Sequence, residues 1–226
     1  MTSIPVQELE YHYSPSRWSH RMGPDEVINA HLETTAQGSR NSLWTLDSEL
    51  EISYGDSERQ KFDIFYKKNA PKKAHDSGIY LAGHSAGAHI AAMMLMASLS
   101  QYDAFDSDLI KGAVLISGVY DLRPLVKTSN NEALRLSETE AWRFSPLNFV
   151  QEIAHESQHR HVVVAVGEYD PPEFRRQSGE MEQMLRNFGV KTSYLDVPDV
   201  DHFNIVEKLS ESKYILTQEC IRLMGL

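Results

Sequence analysis

The sequence predicts a single α/β domain with a mainly parallel sheet flanked by helices, on three observations. Short apolar runs recur at residues 78–82, 113–117, 162–166 and 192–197, each too short for a helix and bounded by turn residues. Helical patterns lie between these runs, and strands that alternate with helices are joined by crossovers that lay the strands parallel. The 226 residues can bury one substantial core, and no repeat or low-complexity stretch divides residues 1–226.

Taken in order, the first forty or so residues are polar with aromatics at Tyr11, Tyr13 and Trp18, and read as helix pieces and loop. Residues 51–54 and 61–66 alternate in polarity around Gly55-Asp56, the signature of an antiparallel hairpin. Residues 67–77 form a polar connection whose lysines (Lys67, Lys68, Lys72, Lys73) make a solvated basic loop. A buried strand at 78–82 then leads into a helix over 88–99, rich in Ala, Met and Leu. The strand at 113–117 is followed by helical material broken at Pro124 and Pro146. Val162-Val163-Val164-Ala165-Val166 is the strongest strand signal in the chain. A helix over 174–188 stops at Gly189, a strand covers 192–197, and a last helix covers 213–224.

Composition excludes several classes of function. The 41% hydrophobic and 24% charged residues are ordinary for a globular protein. A net charge of -10 leaves no basic footprint for nucleic acid. No apolar run reaches membrane-spanning length, and the N-terminus lacks an apolar signal core. The single cysteine, Cys220, excludes an internal disulfide and fits a reducing compartment, the cytosol.

Chemistry enters at Gly83-His84-Ser85-Ala86-Gly87, a G-x-S-x-G turn between strand and helix. That arrangement is the nucleophile elbow of α/β-hydrolases, where the serine is held strained with its hydroxyl above the sheet edge. The turn is tight enough that side chains at positions 83 and 87 are expected to collide with neighbouring backbone. The spacing alone does not establish catalysis, because a glycine-rich turn without chemistry shares it. Acyl transfer by a serine also needs a base, and a carboxylate to orient that base. In this fold they follow in the order Ser, Asp or Glu, His, each on a loop after a strand. Asp170 follows the Val-rich strand and His202 follows the next one, in the required order. Glu168 lies closer to its strand, and Asp199 and Asp201 are too near His202 in sequence to be its partner. His84 and His89 flank the nucleophile and read as packing or tuning the pocket. The helix after Ser85 aims its N-terminus at the site, where it favours developing negative charge.

Beyond the elbow the chain resembles the kynurenine formamidase (arylformamidase) family of α/β-hydrolases. The resemblance is carried by Tyr13-Ser14-Pro15-Ser16-Arg17-Trp18, by the elbow with Ala88-His89 and Ala91-Ala92-Met93-Met94-Leu95, and by Ser117-Gly118-Val119-Tyr120-Asp121-Leu122. Further along it is carried by the stretch from Asp170-Pro171-Pro172-Glu173 to Gln177-Ser178, and by Asp199-Val200-Asp201-His202-Phe203. The resemblance implies hydrolysis of N-formyl-L-kynurenine to L-kynurenine and formate in tryptophan degradation, with Ser85 as nucleophile, Asp170 as orienting acid and His202 as base. It implies a small arylformamide substrate, neither nucleic acid nor membrane as partner, and no cofactor or metal. Whether the chain acts alone or as a homodimer is left open.

The chain departs from the family at one place. The family's His-Gly-Gly-x-Trp motif is absent, and no two glycines are consecutive anywhere in the sequence. Only residues 67–77 separate the second expected strand from the nucleophile strand, where the fold ordinarily holds two strands and two helices in about 50 residues or more. The chain therefore reads as an internally shortened α/β-hydrolase lacking the third and fourth strands and their helices. The oxyanion hole keeps the backbone N–H of Ala86 but loses its second donor. The nucleophile strand is left with an unpaired apolar edge, which the hairpin could move in to cover. Weak or no formamidase activity is expected. Two other readings compete: a carboxylesterase of small acyl esters, and a catalytically dead isoform that binds ligand or pairs with a full-length subunit.

Overall fold

The computed structural model describes residues 5–68, 78–97 and 109–226. Helix α1 (Val6–His12), a 3-10 turn (Pro15–Trp18) and helix α2 (Pro24–Thr45) precede strands β1 (Asp47–Ser53) and β2 (Lys61–Tyr66). Strand β3 (Ile79–His84), helix α3 (Ala86–Met94) and strand β4 (Ile110–Ile116) follow. Short helices α4 (Asn131–Leu134), α5 (Glu138–Arg143) and α6 (Val150–Glu156) lead to β5 (His161–Gly167), α7 (Pro172–Asn187), β6 (Lys191–Val197), α8 (Asn204–Glu207) and α9 (Ile215–Met224). The expected end of the helix after the elbow, beyond residue 97, and most of the 67–77 connection, including Lys72 and Lys73, lie outside the described residues.

The main sheet is four parallel strands in the order β3-β4-β5-β6. Its register sets Val114 against Val163 and Val163 against Ser193, so the strand ends align along one edge. Alternate residues of β4 and β5 serve two cores. Ala113, Leu115, Val162 and Val164 face α3, α6 and α7, where Ala88, Ala92, Ile153, Met181 and Leu185 are buried. Val114, Ile116, Val163 and Ala165 face the other way, onto Val200, Ile205 and Leu216. Burial on both faces explains why these strands are continuously apolar rather than alternating, and each such side chain contributes roughly 1.5–3 kcal/mol.

The expected truncation is borne out by this topology: among the described residues β3 pairs with β4 alone. β1 and β2 pair antiparallel in a two-stranded sheet of their own and do not cover the edge of β3. Both faces of β2 are open, with Phe62, Ile64 and Phe65 exposed.

The N-terminal region differs from expectation, because α2 is one continuous helix of 22 residues rather than short pieces. Pro24 opens its first turn, and the Glu26 carboxylate accepts the Gly23 N–H at 3.0 Å. Thr35, Ser39, Ser42 and Thr45 donate their hydroxyls to carbonyls four residues back. The sequence of α2 is polar with no amphipathic signal, Val27 alone of it is buried, and it is tied to α8 where His31 Nδ1 meets Glu207 Oε1 at 2.9 Å. The N-terminus is anchored at α1, where the buried Tyr13 hydroxyl accepts from Gln177 Nε2 at 2.6 Å and donates to Glu173 at 3.2 Å. Gln177 Oε1 in turn accepts the N–H groups of Tyr120 and Asp121.

Candidate active site

The elbow forms where β3 ends and α3 begins. Ser85 has φ 56° and ψ -118°, a conformation that costs a residue with a side chain about 1–3 kcal/mol. It is held there because its N–H donates to the Ile116 carbonyl at 2.9 Å, and its own carbonyl accepts from Ala88 at 3.1 Å. At position 83 a Cβ would run into the Gly87 carbonyl, so glycine is required. The same expectation fails at Gly87, where an added Cβ meets nothing within 4 Å. Gly87 lies in the first turn of α3, and its missing side chain would point into open space. Ala86 is the first residue of α3, so its N–H has no acceptor within the helix and is free for an oxyanion.

The next two strand ends supply the other two residues. His202 Nδ1–H donates to Asp170 Oδ1 at 2.6 Å, with both side chains buried. The carboxylate requires a donor, which fixes the proton on Nδ1 and leaves Nε2 as the basic nitrogen. Asp170 Oδ2 is also occupied, accepting from Ser117 Oγ at 2.6 Å and from the Gly167 N–H at 2.7 Å. Burial by itself raises the Asp170 pKa, but the His202 imidazole and these hydrogen bonds outweigh it and hold the carboxyl below its ordinary value. Glycine at 167 matters here, because a Cβ would stand 2.8 Å from the Val200 carbonyl and 3.1 Å from Asp170 Oδ2.

The competing acids are placed elsewhere. Glu168 accepts the Asp199 N–H at 2.9 Å in an exposed position. Asp201 is buried and turned away from the imidazole. It accepts from Ser19 Oγ at 2.6 Å, from Arg21 Nε at 2.8 Å, and from the N–H groups of Phe203 and Asn204. Against the upward pull of burial, the Arg21 and Ser19 hydrogen bonds lower its pKa to about 2. Arg21 also reaches Glu207, the last residue of α8, at 3.2 Å, so the N-terminal segment binds residues on both sides of His202 in sequence.

His202 is therefore fixed from several sides. Phe174 meets its ring edge-on at 4.8 Å between centroids, and His84 lies 4.6 Å away. His84 Nε2–H donates to the His202 carbonyl at 2.7 Å. A closed circuit results: Ser85 to Ile116, Ser117 to Asp170, Asp170 to His202, and His202 back to His84 beside Ser85. Among the described residues no hydrogen bond joins the Ser85 hydroxyl itself to His202. Such contacts are often long in unliganded enzymes and tighten around substrate. No group of three metal-ligating side chains occurs among the described residues. No described helix is long and apolar enough to cross a membrane.

Sequence reasoning missed Ser117, Ser19, Arg21 and the structural part played by Asp201. Ser117 had a signal, since it ends the strand beside the elbow. The Arg21–Asp201 pair spans most of the chain and had none.

Comparison with known proteins agrees with this fold. The family model described as "alpha/beta hydrolase fold" matches residues 56–205. Kynurenine formamidase of Danio rerio is 33% identical over 288 residues, covering 99% of this chain and 98% of that protein. Kynurenine formamidase of Salmo salar is 34% identical over 284 residues, covering 96% of each. Both alignments are longer than the 226 residues of this chain, so these relatives carry internal residues that it lacks. A crystal structure of a protein provisionally assigned as a thioesterase, from a Silicibacter species, superposes with a TM-score of 0.72 at 21% identity. It covers 97% of this chain and 99% of its own, a likeness of fold. The chain belongs to the α/β-hydrolase fold family and, within it, to the kynurenine formamidases.

Proposed function

We propose that this chain is a serine hydrolase of N-formyl-L-kynurenine, working in tryptophan degradation in the cytosol, and that its turnover is weak. The observation that carries the reading is the buried Asp170–His202 hydrogen bond of 2.6 Å, formed at the sheet edge where the strained Ser85 elbow also lies. In this reading His202 Nε2 takes the Ser85 proton as the serine oxygen bonds to the formyl carbon. The resulting oxyanion is met by the Ala86 N–H and the positive end of α3. Collapse breaks the C–N bond, and the proton on Nε2 passes to the departing aryl amine, releasing L-kynurenine. Water, deprotonated by the same nitrogen, then attacks the formyl ester, and formate leaves as Ser85 regains its proton. Asp170 remains ionised throughout and stabilises the imidazolium.

Weak turnover follows from the internal residues that the relatives carry and this chain lacks. Loss of one oxyanion donor typically costs about 10²–10³ in rate, and loss of a pocket wall adds to it. The same feature favours a second reading, a non-catalytic isoform that binds ligand or pairs with a full-length subunit. Turnover of formylkynurenine by the purified chain, beside a full-length relative and with p-nitrophenyl acetate as the ester control, tests both. The expected result is slow formylkynurenine turnover that vanishes in Ser85→Ala. Turnover equal to the relative's overturns the impairment. Folded protein that neither turns over substrate nor takes a fluorophosphonate label favours the non-catalytic reading.

A further inference from the structure

We propose that His84 is a positioning residue, whose Nε2–H holds the His202 backbone carbonyl and so keeps the imidazole within reach of the elbow. The proposal rests on the reading of Ser85 as nucleophile and His202 as base, and it deepens that reading.

Three observations carry it. First, the bond is well formed, at 2.7 Å, and its two residues are 118 apart in sequence. A carbonyl can only accept, so Nε2 must bear the proton. Second, His84 is the last residue of β3, pinned by its pairing with Ile116, and it immediately precedes Ser85. Of the side chains described around His202, Asp170 comes from the β5 end, Phe174 from α7 and Phe203 from the same turn. His84 alone among them is borne by the strand that carries the elbow. Third, His84 stays neutral. Burial, reinforced by the neighbouring His202 imidazole, lowers its pKa to about 3. It therefore remains a one-proton donor across the working pH range and does not compete with His202 for the serine proton. The physical need is plain in this chain. Ser85 follows β3 and His202 follows β6, the two border strands of the four-stranded sheet. Yet the loop after β6 lies against the end of β3, with the His84 and His202 rings 4.6 Å apart, and no hydrogen bond joins the Ser85 and His202 side chains among the described residues. The His84 bond ties that loop to the residue before Ser85.

Three variants separate positioning from packing. In His84→Gln the carboxamide nitrogen reaches the place of Nε2. In His84→Asn the donor falls short. In His84→Leu there is bulk without a donor. Two readouts apply to each: the rate of fluorophosphonate labelling at Ser85, and the strongly deshielded proton NMR signal of His202 Nδ1–H against Asp170. Asp170→Asn assigns that signal by its loss. The expected result is labelling at least about tenfold slower in the Leu and Asn variants, a factor equal to roughly 1.4 kcal/mol, with the signal broadened. Gln restores both, to within about threefold of wild type for labelling. Should the Leu variant fail to melt cooperatively, the contrast between Gln and Asn decides. Labelling and signal unchanged in Asn and Leu overturn the proposal. A wild type that shows the signal but takes no label overturns the reading of Ser85 while the variants' signals still decide the role of His84. A wild type with neither overturns both.

Discussion

Asp170 holds the His202 imidazole at 2.6 Å while Ser117 and Gly167 occupy its other oxygen, so the carboxylate cannot turn away from the ring. In Asp170→Asn the amide no longer enforces the Nδ1–H tautomer, so Nε2 can carry the proton and lose its basic lone pair. Labelling of Ser85 by a fluorophosphonate is expected to fall by about 10³–10⁴ with little change in fold. Stopped-flow labelling beside a thermal melt checks it.

Ser117→Ala removes one of the two donors to Asp170 Oδ2. The buried carboxylate is left one hydrogen bond short, at a cost of about 1–3 kcal/mol in stability. Because that oxygen anchors the orientation of the pair, labelling is expected to slow as well. Urea denaturation gives the first number, and a labelling rate measured far below the midpoint gives the second.

Acid should unfold the chain through Asp170 and Asp201. Both carboxyls are depressed in the folded state, Asp201 to about 2, against about 3.9 when unfolded. Their contribution is fully present above roughly pH 4 to 5 and is lost as pH falls through the folded values. For Asp201 it is about 2 kcal/mol. Melting temperature is expected to be flat near neutrality and to drop steeply below about pH 4, and Asp201→Asn to flatten that drop. Equal acid slopes for the two proteins would refute this account.

The open border of β3 predicts association. Ile79 is exposed there, and Phe62, Ile64 and Phe65 are exposed on the nearby-in-sequence hairpin. A lysine at a sheet edge opposes pairing with another chain. Ile79→Lys is expected to reduce light scattering on concentration while leaving stability within about 0.5 kcal/mol. Undiminished scattering would locate the association elsewhere.

Much of this was legible in the sequence because local signals and global topology agree. The runs at 113–117 and 162–166 are apolar throughout because both sheet faces are covered, and they appear as β4 and β5. Asp170 and His202 could be paired in advance because parallel strands in register bring their following loops to one edge. What could not be read depended on contacts without a local pattern. Arg21 and Asp201 meet only after folding, and Ser117 looks like any strand-end serine until Asp170 arrives. The length of α2 was hidden because its sequence carries no apolar stripe and Val27 alone of it is buried. Gly87 shows the opposite case: within the motif the steric need for glycine lies at Gly83, and position 87 has room for a side chain.

Among the described residues β3 pairs along one flank only, with β4. Fraying of that single ladder would carry the serine out of register while β4, β5 and β6 stayed intact. If Ser85 is the nucleophile, a local opening of this kind would disassemble the site while leaving most of the molecule's secondary structure and spectroscopic signature untouched.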